Sequence, residues 1–159
     1  DELVDGDSIA VPNDPSNETR ALLLLQDAGL IVLPEGTDGN STVTKLDVKP
    51  GSVNLEIVEV DAERLPATLE DVAFAVINGN YAIPAGLFPT RDAVKLESTE
   101  SEAAITYTNY VVVRADNVDA PFVEALRKVL HADKVREFLL NNEEFKGGVV
   151  PNFDAAPAE

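Results

Sequence analysis

Two short segments concentrate the side chains able to hold a small charged molecule. The first comprises Asn13, Asp14, Ser16, Asn17, Glu18 and Arg20, which crowd the start of a leucine-rich stretch. A helix N-terminus carries free N–H groups and a positive dipole end, and helical side chains lean back toward it, so an anion bound there lies within reach of Arg20. A guanidinium fork offers a carboxylate two parallel charge-assisted hydrogen bonds, each contributing about 1.5–3 kcal/mol net. The acidic surroundings favour a carboxylate over a phosphate. The same residues also make an ordinary helix start, with Asp14 or Asn17 as the cap, Glu18 against the dipole and Arg20 in a surface ion pair.

The second segment is AVINGNY, residues 75–81, where polar residues directly follow an apolar run. In open α/β sheets, ligands sit at the carboxyl ends of strands, and Asn78 occupies that place. Its amide can accept from an ammonium and donate to a carboxylate, the two groups of an amino-acid backbone. Gly79 permits close backbone approach. An ordinary strand-to-helix turn uses the same Asn-Gly chemistry.

The elements that must position these groups alternate between strand and helix. SIAV at 8–11 reads as a short strand, followed by a helix at about 17–28 that carries apolar Ala21, Leu22, Leu24, Leu25 and Ala28 and ends at Gly29. A short helix over 42–47 leads to LEIVEV at 55–60, whose period of two predicts a half-buried strand. FAVI at 74–77 has the look of a buried parallel strand, and 81–85 of one or two helical turns closed by Gly86. Further strands are expected at 94–96 and at 107–113, the latter (YTNYVVV) β-branched and aromatic. Two helices follow, one opened by Asp119-Ala120-Pro121 with a Phe122, Leu126, Val129, Leu130 stripe, the other carrying Val135, Phe138 and Leu139. The pattern is α/β.

Composition narrows the chemistry. The 159 residues carry 29 acidic and 12 basic side chains, a formal charge of −17, with a sequence pI of about 4.2. Such a surface repels phosphate backbones and anionic lipid heads, so nucleic acid and membrane surfaces are poor partners. No cysteine is present, which excludes disulfides, thiolate zinc sites and a thiol nucleophile. A lone histidine, His131, excludes imidazole clusters and reads as a favourable cation near a helix end or a plain surface residue rather than a ligand. Glu56, Glu59, Glu97, Glu100 and Glu102 show no calcium-loop spacing and receive no role. No Gly-x-Ser-x-Gly elbow or phosphate-binding glycine loop occurs, so no enzyme activity and no cofactor is expected. The longest apolar runs, 21–25 and 29–34, are far short of the ~20 residues of a membrane span. Without an initiating Met, Asp1 reads as the start of a processed or truncated product.

Three stretches together, IAVPNDPSNETRALLLLQDAGLIVL (9–33), LEIVEVDAERLPATLEDVAFAVINGNYAIPAGLFPTRDAV (55–94) and VREFLLNNEEFKGGVVPNF (135–153), give the chain a resemblance to the NlpA family of methionine-binding lipoproteins. The resemblance spans nearly the whole chain, with NDP-x-NE-x-R and VINGNYA as its most specific cores. It implies a type 2 periplasmic-binding-protein fold in truncated form, one complete lobe plus the C-terminal part of the other. Residues 1–106 would be the second ligand-binding lobe, 107–153 the C-terminal portion of the first, and 154–159 a disordered tail. It further implies a substrate-binding component of an ABC importer, held outside the cytoplasmic membrane by a lipid anchor beyond this stretch, that closes on L-methionine and delivers it to a permease. By position, Arg20 resembles the arginine that grips the ligand carboxylate and Asn78 the asparagine that holds its backbone polar groups, with Asn17 and Tyr81 in the same motifs. Other ligands of the same fold, another small amino acid or a methionine-containing dipeptide, stay open, as does a non-binding scaffold role.

Two departures stand out. Thr19 stands where the family usually has Gly, and family members begin with roughly a hundred further residues, on the order of a lobe. A micromolar binder needs about 8 kcal/mol, whereas burying the methionine side chain supplies about 2–3 kcal/mol. Both walls of the cleft are therefore needed, and this stretch alone is expected to bind methionine no better than millimolar. Apolar surface from Tyr107 onward is expected to drive self-association.

Overall fold

The computed structural model describes residues 3–98, 101, 105–145 and 148–152. Its centre is a three-stranded parallel sheet in the order β4-β1-β5, formed by β1 (Ser8–Pro12), β4 (Glu56–Val60) and β5 (Phe74–Ala75). β1 lies in the middle, with Ile9 opposite both Ile57 and Phe74. Flanked on both sides, Ile9, Ala10 and Val11 are almost completely buried, which is why this strand reads as a continuous apolar run. β4 is an edge strand among the described strands; Glu56 is exposed, but Ile57, Val58, Glu59 and Val60 are all partly buried, so the expected alternation does not appear in its burial.

Helix α1 (Pro15–Asp27) covers the sheet. It begins two residues before the sequence-based start because Asp14 takes the N-cap: its carboxylate accepts the Asn17 N–H (3.1 Å), and Pro15 fits the first turn. Its end matches expectation. The Gly29 N–H donates to the Gln26 carbonyl and the Leu30 N–H to the Leu25 carbonyl, with Gly29 at φ 74°, a left-handed cap that favours glycine. Ala21, Leu22 and Leu25 then pack on Ile9, Val11, Ile31, Leu33 and Val43 as one core. Burial of a leucine of this kind is worth about 1.5–3 kcal/mol.

Thr19 faces that core, not the polar cluster. Fully buried, it donates its hydroxyl to the Pro15 carbonyl (2.9 Å) and accepts the Val43 N–H (3.2 Å), tying the 43–44 segment to α1. Glu18 is also buried and accepts the Lys45 N–H (3.0 Å). Burial pushes its carboxyl above the usual glutamate value.

The remaining elements are short. A ladder unannounced by the sequence pattern joins β2 (Ile31–Val32) to β3 (Lys49–Pro50), and the expected helix over 42–47 is a 3-10 turn at Lys45–Asp47 capped by Thr44. Helices α2 (Leu65–Thr68), α3 (Gly79–Ala82) and α4 (Pro89–Asp92) follow, α3 running into a 3-10 turn, Ile83–Ala85, that Gly86 closes. The expected strand at 74–77 is paired only at Phe74 and Ala75. Helices α5 (Pro121–Leu130) and α6 (Asp133–Asn141) appear where their stripes predict, and His131 sits at the C-cap of α5.

Two expected strands are not strands. At 94–96, the alternation of the chain serves side-chain pairing: Lys95 meets Asp27 (2.8 Å) and Glu97 meets Arg20, both on α1, so the backbone lies off the sheet edge. At 107–113, the described residues form no strand. No described strand pairs with them, and Val111 and Val112 are exposed. β-propensity records fit to a pleated neighbour, so the segment forms no strand alone. The tail at 154–159 lies outside the described residues.

Candidate functional site

The carboxyl ends of β1 and β5 bring the two polar segments together. Asn13 follows β1 directly, and its N–H donates to the Val60 carbonyl (3.0 Å), extending the parallel pairing to the cap of α1. On the other side the Val76 N–H donates to the Ala10 carbonyl (2.9 Å), carrying the chain on to Asn78. Asn17 and Arg20 stand one turn apart on α1 and share a face.

A hydrogen-bonded relay fixes the polarity of this cluster. The Asp14 carboxylate can only accept, and it takes both bonds from the Asn17 amide nitrogen (2.9 and 3.0 Å). The Asn17 oxygen must then face away, and it accepts from the Asn78 amide nitrogen (2.8 Å). This leaves Asn78 Oδ1 pointing onward, buried and without a hydrogen-bond partner. Buried acceptors without partners are uncommon because each costs about 1–3 kcal/mol. The Asp14 carboxyl holds the relay ionised. Burial pulls its pKa upward, but bonds from the Asn17 side chain, the Asn17 backbone and Ser16 together outweigh that and leave it below 3.8.

Arg20 is held on two sides. Its Nε donates to both Glu97 oxygens (2.9 and 3.1 Å), and its Nη2 donates to Glu97 Oε2. The guanidinium carbon lies 5.0 Å from the centre of the Tyr107 ring, a favourable cation–π placement. Tyr107 is fixed in turn by its hydroxyl, which donates to the Ser16 carbonyl (2.9 Å). Glu97 hydrogen bonding raises the Arg20 pKa further, so the group stays charged. Nη1 makes no hydrogen bond to any described residue, and about a third of the side chain is exposed.

Of the four residues singled out from the sequence, Asn17 and Asn78 are joined by a hydrogen bond and Arg20 stands one turn along α1 from Asn17. The Tyr81 N–H donates to the Asn78 carbonyl (2.9 Å), while its side chain lines an open depression of about 560 Å³ with Glu63, Pro66, Ala67, Asn80, Pro84 and Ala85. Gly79 does permit a close backbone approach, to the Gly148 carbonyl: a Cβ there would lie 3.2 Å from that oxygen. Sequence reasoning missed Tyr107, assigned to a strand, and gave Glu97 no role. The same-side spacing of Lys95 and Glu97 was the available signal, but nothing in the sequence ties Glu97 to an arginine 77 positions away. Among the described residues, no group of three or more acidic or histidine side chains is placed to hold a metal ion, and no helix is long and apolar enough to cross a membrane.

Comparison with known proteins gives this arrangement a family. The chain is 45% identical over 152 residues to the D-methionine-binding lipoprotein MetQ of Escherichia coli K12, a match covering 94% of this chain and 53% of that protein. A nutrient-binding protein from Burkholderia cenocepacia, solved bound to methionine, superposes with a TM-score of 0.79 at 46% identity, over 90% of this chain and 58% of that one. A periplasmic substrate-binding protein of an ABC transporter from Coxiella burnetii gives a TM-score of 0.80 at 42% identity, over 95% and 60%. The chain thus spans about half the length of the curated relatives it matches. The names of these relatives describe methionine, nutrient or substrate binding, and the two solved structures share the α/β fold with its parallel sheet. Residues 1–153 match the sequence profile of the NlpA lipoproteins, and the chain belongs to that family.

Proposed function

We propose that this chain forms one wall of a cleft that binds methionine or a close amino-acid relative for import through an ABC permease. Arg20 takes the ligand carboxylate through the N–H groups that Glu97 leaves unused, and Asn78 Oδ1 accepts from the ammonium. The observation that carries this reading is the buried, partnerless Asn78 Oδ1, whose orientation is dictated by Asp14 through Asn17. An ammonium N–H supplies the missing donor. Relatives named for methionine binding, and one solved with methionine bound, support the choice of ligand.

In this reading residues 1–106 belong to one lobe and 107–153 to the other. The lipoprotein names of the relatives support an extracytoplasmic location with a lipid anchor. Calorimetry on the full-length protein tests the binding. Methionine should bind, N-acetylmethionine should bind at least about tenfold more weakly because its amide no longer supplies an ammonium, and Asn78→Ala should weaken methionine by a comparable factor. Equal affinity for the two ligands would refute the ammonium role of Asn78.

A further inference from the structure

We infer that Glu97 is a positioning residue for the ligand carboxylate, acting through Arg20. The inference deepens the proposed function and rests on its assignment of Arg20. An arginine on a part-exposed helix face has many rotamers, and ordering it on binding costs affinity. Here that ordering is already done. Glu97 grips the guanidinium along its Nε–Nη2 edge, Tyr107 backs one face at 5.0 Å, and the ring is itself tied to the Ser16 carbonyl.

Glu97 is no wandering side chain either. Two residues earlier, Lys95 pairs with Asp27 at 2.8 Å, so the segment is fastened to α1 at two points, near its C-terminus and in its second turn. Because Glu97 uses the side edge of the guanidinium, Nη1 remains available at the end of the fork, directed by a group that never touches the ligand. The negative charge of Glu97 also balances that of Arg20. The pair therefore presents oriented donors with little net charge, which suits a zwitterion better than a simple anion.

The test uses the full-length protein, methionine calorimetry, and the NMR signal of the Arg20 Nε–H. Wild type should show that proton exchanging slowly with water. Glu97→Ala should accelerate its exchange and weaken methionine binding about 3- to 10-fold, the cost of ordering one long side chain, with the backbone spectrum otherwise unchanged. Glu97→Gln, similar in shape, carries the same direction of effect and serves if the alanine variant does not fold. Unchanged or tighter methionine binding in these variants overturns the inference, the tighter result meaning that Glu97 competes for Arg20. If Arg20→Ala retains wild-type affinity, the carboxylate assignment fails and the inference with it. If Arg20→Ala loses binding while the Glu97 variants keep it, only the inference fails.

Discussion

The stretch from β1 to α3 and the stretch from Tyr107 to α6 both carry amphipathic sequence, yet among the described residues the core lies in the first. Among the described residues, the buried apolar ones, all but Val123, lie between Ile9 and Ala82. In the second stretch Val111, Val112, Phe122, Val129 and Phe138 are all more than half exposed. The difference teaches that patterning creates a surface to bury, whereas burial needs a second surface to meet it. β1 finds neighbours on both edges and a helix on its face. The strand-like YTNYVVV finds none among the described strands, and the stripes of α5 and α6 stay largely open.

Amide hydrogen exchange offers the largest contrast. Amides of β1 should exchange only through global opening, at least about a thousandfold slower than those of 111–113, with which no described strand pairs. Comparable rates would abolish the distinction. Mutation sharpens it next: Leu22→Ala, in the fully buried core, should cost about 2–5 kcal/mol in urea unfolding. Phe138→Ala, 54% exposed with an edge contact to Phe145, should cost under about 1.5 kcal/mol.

The smallest effect concerns acid. The folded-state pKa of Asp14 lies below 3.8, so its ionised form stabilises the fold above that value, and the contribution is lost as pH falls through 3.8 toward the lower folded pKa. Asp14→Asn keeps a cap acceptor and should flatten the acid limb of a stability profile. Asp116, whose pKa is lowered chiefly by the exposed Arg114 pair, should leave that limb nearly unchanged when replaced by Asn.

Much of the site was legible because its parts are local. The Asp14 cap, Pro15 and the Gly29 terminus follow from backbone chemistry within a few residues, so α1 and the place of Arg20 on it were readable in advance. The place of Asn78 followed from a polar residue ending an apolar run. The relay from Asp14 to Asn78 was not readable, since its closing bond joins residues 61 positions apart. The same holds for Tyr107 beneath Arg20.

By itself the sequence determined the longer helices α1, α5 and α6, where α1 stops, which residues are apolar enough for a core, and the family to which the chain belongs. Those properties depend on near neighbours and composition, which a linear string records. The tertiary structure decided which strand candidates became strands, which carboxylate holds Arg20, and which way the Asn78 amide faces. Each of these is a property of a pair, and the energy of a ladder, an ion pair or a hydrogen bond is defined only once the chain has brought its second member within contact distance.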